Sequence, residues 1–179
     1  MHTSQNQRPR RRRRVGRVVA VVPAVSLLLA SPPVSAETTR IEFGGTQQVL
    51  AVADPGTEWQ SGPVLHFRDR VFTGVSVADP ASGLPTGTTT AVVNVNLDTR
   101  DAHGTVWGHG RLDFEDGGFR TTFSGTIRPA DVPGGLLGEY QIIAHGDGAY
   151  DGMQLRADAT EFLAIGFGTY EAVLMTPGG

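Results

Sequence analysis

The stretch TVWGHGRLDFEDGGFRTTFSGTIR, residues 105–128, decides the fold. Val106, Gly108, Gly110, Leu112 and Phe114 alternate with Trp107, His109, Arg111, Asp113 and Glu115. After Asp116-Gly117-Gly118, the set Phe119, Thr121, Phe123, Gly125 and Ile127 alternates with Arg120, Thr122, Ser124, Thr126 and Arg128. A period of two places one set on each face of a strand. The two glycines supply the positive φ that a tight hairpin turn needs. The stretch reads as an antiparallel hairpin with one buried face.

The same pattern extends outward. In Thr88–Asp98, Thr89, Ala91, Val93, Val95 and Leu97 share one face, and Thr90, Val92, Asn94, Asn96 and Asp98 the other. Further strands are expected at Thr39–Phe43, Gln47–Val52, Pro63–Val77, Leu137–His145, Tyr150–Thr160 and Phe162–Leu174. Segments rich in Gly, Pro and Asp separate them, and these residues pre-set or permit turns. No sustained helical period occurs between residues 37 and 179. Eight or nine strands with hairpin-length links are most economically arranged as a single antiparallel closed β-barrel of about eight strands, which leaves no exposed edge. Glycines inside the strands (Gly74, Gly108, Gly110, Gly125, Gly138) favour that closure, because tight bending is absorbed at Gly. A two-sheet β-sandwich is the alternative.

The run from Gly138 to Gly152, GEYQIIAHGDGAYDG, resembles the G-x-G-x-[FY]-x-G hairpin of the allene oxide cyclase and dirigent-like barrels. Secreted bacterial relatives of that superfamily carry a similar strand ending in Gly-x-Gly-Ala-Tyr-x-Gly, and the matching positions are Gly146, Gly148, Tyr150 and Gly152. The resemblance covers mainly residues 138–152 and implies a calycin-type barrel. No catalytic or cofactor residue of the plant members maps onto this chain, and none is carried over.

Charge and composition bound the function. Residues 1–36 hold seven arginines and no acid, whereas residues 37–179 hold eight arginines and all eighteen acids, a net charge of −10. Such a surface does not suit phosphate backbones, so no nucleic-acid partner is expected. With no Cys, disulfide scaffolds, thiolate metal sites and cysteine nucleophiles are excluded. The Arg-rich start, the apolar run from Val18 to Ala30 and the small-residue site Val34-Ser35-Ala36 read as a secretory signal peptide over residues 1–36, cleaved after Ala36. The apolar run is shorter than the roughly 20 residues a membrane span requires. The β-barrel domain then comprises residues 37–179, a secreted, extracellular product with no membrane span. Its oligomeric state stays open, as does the choice between Sec and twin-arginine export.

Candidate chemistry is sparse. In Pro63–Val77, Leu65, Phe67, Asp69, Val71, Val75 and Val77 would share a face, so Asp69 would be directed into an apolar interior as a candidate catalytic carboxylate. The competing expectation is a bulge that turns Asp69 outward. Asn94, Asn96, Trp107 and Arg156 are candidate ligand-binding residues: two amides on one face, a stacking surface and an anchor for a carboxylate. Arg156 with Asp158 reads equally as a solvated cross-strand charge pattern. His66, His103, His109 and His145 lack metalloprotease spacing, and His109 lies opposite Leu112 and Phe114, so no metal and no cofactor are expected. No nucleophile elbow, P-loop or dinucleotide fingerprint is present.

Two functions follow. The first is a non-catalytic barrel that binds a small apolar or amphipathic ligand, or a surface partner, at one mouth. The second is a dirigent- or cyclase-like protein, with isomerase-type activity, that steers a reactive intermediate by enclosing it. An interior sealed by Phe67, Phe114, Phe119 and Phe123 disfavours both small-molecule versions. An open interior with a buried carboxylate favours the second.

Overall fold

The computed structural model describes residues 38–178. The expected signal segment and its expected cleavage point at Ala36 lie outside the described residues. Nine strands follow in order: β1 (Thr39–Asp54), β2 (Thr57–Ser61), β3 (Val64–Ala78), β4 (Gly87–Asp98), β5 (His103–Phe114), β6 (Gly117–Pro129), β7 (Leu136–Gly148), β8 (Gln154–Phe162) and β9 (Phe167–Thr176). All pairings are antiparallel, in the order β1-β9-β8-β7-β6-β5-β4-β3, and β1 pairs with β3 to close an eight-stranded barrel. The sandwich alternative is thereby excluded. Strand β2 lies outside the closed ring, on residues 64–68 of β3, where β1 has already left that edge.

The alternation of residues 88–128 sets the barrel's two faces. Ala91 pairs with Gly110, which pairs with Thr121, and Leu112 pairs with Phe119; the set expected to be buried faces inward. Three of the departures from the expected strand boundaries have a visible cause. The expected strands 39–43 and 47–52 fuse into β1 across Gly44-Gly45, because Gly45 lies opposite Tyr170, whose ring occupies the space a side chain would need. Strand β8 starts at Gln154, not at Tyr150, since Gly148 (φ 64°) and Gly152 (φ 78°) bracket a turn. Strand β9 starts at Phe167, not at Phe162, after a turn in which the Gly166 amide donates to Phe162 O over 2.9 Å.

The hydrophobic core fills one end of the barrel. Phe43, Phe119, Ala144, Leu155, Ala172 and Leu174 are buried there, with Ile41, Leu84, Phe114, Tyr150 and Met153 packed against them. The Tyr150 ring sits 5.0 Å from Phe114 and 5.3 Å from Phe119. Leu84 comes from the β3–β4 connection, where Pro80–Ser82 form a short 3-10 turn capped by Asp79. The opposite end carries the β4–β5, β6–β7 and β8–β9 connections and has no such plug.

Candidate functional site

Beyond the core, the barrel encloses a cavity of about 710 Å³. Its wall is apolar: Phe67, Phe72, Ala91, Val93, Val95, Val106 and Phe123 on one side, and Tyr140, Ile142, Ala157 and Tyr170 on the other. Phe114 and Phe119 close only the plugged end, so the aromatic residues do not seal the lumen. At the other end the lining includes Leu50, Val52 and Ile165, which are 65%, 53% and 66% exposed. Large apolar side chains this exposed mark an open mouth with an apolar rim.

The inward charge on β3 is not the expected one. Phe67 pairs with Val95 and Arg70 with Val93, so Arg68 and Asp69 together oppose the single residue Asn94. This is a β-bulge, and the extra residue shifts the phase of the strand by one. Asp69 takes the left-handed conformation (φ 55°), which Asp tolerates better than most residues, and its side chain is exposed. Asn94 fixes the bulge by accepting the Asp69 amide at 3.1 Å. Gly56 (φ 62°) packs so closely on the Arg68 carbonyl that a Cβ there would collide with it. Asp69 is therefore no lumen carboxylate. Leu65, Phe67, Arg70, Phe72, Gly74 and Ser76 alternate inward instead, and Val71, Val75 and Val77 turn outward. Arg70 lines the mouth with its guanidinium 4.1 Å from the Phe67 ring centre, donating to Pro55 O and to Glu58 at 3.0 Å.

Asn94, Asn96 and Trp107 come together, but on the outside of the barrel. The Arg68 guanidinium lies over Trp107 (4.7 Å) and Trp59 (5.2 Å), and Trp59 stacks on His66 at 4.9 Å. Arg68 also donates to Phe67 O, Val95 O and Asn96 Oδ1, and Asn96 Oδ1 lies 2.7 Å from His66 Nδ1. The Trp107 surface expected to stack on a ligand is thus engaged by Arg68. The cluster clamps β2 across β3, β4 and β5. Arg156 is exposed on the outer face of β8 and paired in register with Ile143 and Val173, remote from the lumen. His109 and His145 are exposed on the outer wall, and Asp147 is held by Arg111 through two hydrogen bonds of 2.6 and 2.8 Å. Among the described residues no group of three His, Asp or Glu side chains is arranged to hold a metal ion.

No protein-family model, curated protein or solved structure matches this chain. The site must be read from its own chemistry.

The carboxylate that does line the lumen is Glu161. The inward alternation Leu155, Ala157, Ala159 on β8 continues to it. It fell between two expected strands in the sequence reading, although that continued alternation was a usable signal. In register, Gly138, Glu161, Gly168 and Gln47 form one row across β7, β8, β9 and β1. Because Gly168 carries no side chain, Gln47 Nε2 reaches across β9 and donates to Glu161 at 3.1 Å. The Tyr140 hydroxyl rests over Gly138, on the other flank of Glu161. Burial raises the Glu161 carboxyl above the ordinary range, opposed by the Gln47 hydrogen bond. Burial foremost, and then the Glu161 charge, push the Tyr140 phenol up. Tyr170, also raised by burial, is hydrogen-bonded to Ser76 at 3.1 Å.

Proposed function

We propose that this protein binds a small apolar or amphipathic molecule inside the barrel, admitted through the mouth rimmed by Leu50, Val52 and Ile165. The observation that carries the reading is the 710 Å³ apolar cavity continuous with that mouth. Concave, mostly apolar sites of ~300–1,000 Å³ with a few convergent polar groups are the usual form of small-molecule sites. Polar groups are a minority of the lining, with one carboxyl–carboxamide pair among scattered hydroxyls, so they would orient a ligand whose affinity comes from apolar burial. Each buried methylene is worth about 0.8 kcal/mol, close to a fourfold gain in affinity. The test is the melting temperature of the protein in a series of linear alcohols of increasing length. Stabilisation should climb with each methylene and level off once the lumen is filled. A flat response along the series would refute lumen binding.

The half-buried Glu161 favours a second reading, a dirigent- or cyclase-like enclosure with isomerase-type activity. A carboxyl held in a water-poor wall beside a phenol is a candidate acid or base. The two readings part on the fate of the bound molecule. A ligand that is extracted from the protein unchanged after incubation supports binding, and a rearranged one supports steering.

A further inference from the structure

We propose that the row Gln47–Glu161–Tyr140 is a receptor for a protonated amine, and that the ligand is an apolar amine. The inference rests on the lumen-binding reading and specifies the ligand's polar group.

Two charged side chains stand at inward-facing positions of the lumen: Arg70 and Glu161. Arg70 is neutralised by Glu58. Glu161 alone makes no ion pair among the described residues; its hydrogen bond comes from the neutral Gln47 amide. A carboxylate taken out of water is costly unless it gains a cation or several donors. One amide leaves most of its acceptor capacity unused. Glu161 lines the cavity, with the Gln47 amide reaching over Gly168 on one flank and the Tyr140 hydroxyl over Gly138 on the other. Tyr140 adds a hydroxyl oxygen able to accept a further N–H. An ammonium offers three donors and a full positive charge in a compact group, which matches a carboxylate with a neighbouring hydroxyl acceptor. An alkyl carboxylate would meet like charge at Glu161. The titratable groups on the inward faces of the strands beside Glu161 are phenols, Tyr140 on β7 and Tyr170 on β9, and both are neutral at pH 7, so the amine would interact with Glu161 as the charged partner.

The test is a calorimetric comparison of octylamine, octanol and octanoate on the purified protein at pH 7. Octylamine should bind about tenfold more tightly than octanol, and octanoate more weakly than either. In Glu161→Gln, whose fold is checked by its melting curve, the ratio of amine to alcohol affinity should fall to within about twofold. Equal affinity of amine and alcohol for the wild type, with both bound, would overturn the amine receptor while leaving lumen binding standing. A preference for amine that survives in Glu161→Gln would overturn the role of this row. Failure of all three compounds to bind would overturn both readings.

Discussion

Gln47 Nε2 donates to the Glu161 carboxylate over 3.1 Å, a bond between residues 114 apart in sequence that spans β9 at the one position, Gly168, where no side chain intervenes. The one carboxyl on the cavity wall is therefore paired with a carboxamide, while the hydroxyls of Ser76, Thr89 and Thr121 lie elsewhere on that wall. The relationship also fixes what the lumen can distinguish: chain length along the axis, and the chemistry of one polar group at the row.

Glu161 should make stability depend on pH. Its pKa is raised in the folded state by burial, so the folded protein holds a proton that the unfolded chain has released. Stability contributed by the neutral carboxyl is complete below the ordinary value of 4.5 and is lost as pH rises through the folded pKa. Glu161→Gln removes this dependence. Denaturant melts should show the variant gaining on the wild type as pH rises from the acid range to 7, with the difference shrinking at acid pH. A constant difference across the range would contradict a carboxyl whose pKa the fold raises.

Replacement of Arg68 by Ala should destabilise the fold by about 2 kcal/mol, through lost cation–π stacking and three lost hydrogen bonds. Lysine should not restore it, because an ammonium cannot lie flat over Trp107 while donating in a fork to Phe67 O, Val95 O and Asn96. Urea unfolding gives the magnitude, and a red shift of tryptophan emission reports release of β2.

At the bulge, Asp69→Gly should be neutral or stabilising by up to about 1 kcal/mol, since glycine adopts a φ of 55° without strain. Asp69→Val should cost more than about 1 kcal/mol, because a β-branched residue resists that conformation. Neither should change octanol affinity, since Asp69 lies outside the lumen.

Gly168→Ala should interrupt the polar row. A Cβ there would lie 2.6 Å from the Thr160 carbonyl and 3.2 Å from Glu161 Cβ. Displacement of β8 from β9 should cost roughly 1–3 kcal/mol. It should also weaken the amine-over-alcohol preference, which a titration of both compounds would read directly.

The legible parts of this sequence were those where alternation runs unbroken. Residues 88–98 and 105–128 keep a strict period of two, and each of their faces is where the pattern placed it. Where the backbone departs from the ideal strand, the pattern misleads. One extra residue at Arg68–Asp69 exchanges an exposed Asp for an inward Arg70, and alternation cannot report a phase shift that lies within it. Strand β2 escaped notice because all five of its residues, TEWQS, are exposed and leave no buried face to detect. Alternation puts Asn94 and Asn96 on one face, but that Trp107 shares it, and that it is the outer wall, depends on strand register and closure. Glu161 was hidden by a misplaced strand boundary one residue away.

The measurement that bears most directly on lumen binding is calorimetric titration of octanol into the wild type and into Ala91→Phe. Ala91 lies on the lumen wall, and a phenylalanine there would occupy empty space. Filling a cavity, unlike overpacking a core, should leave the melting temperature unchanged or raised. Octanol should bind the wild type, and its affinity for Ala91→Phe should fall by about tenfold or more. Equal affinity for the two proteins would place the ligand outside the barrel and contradict the account.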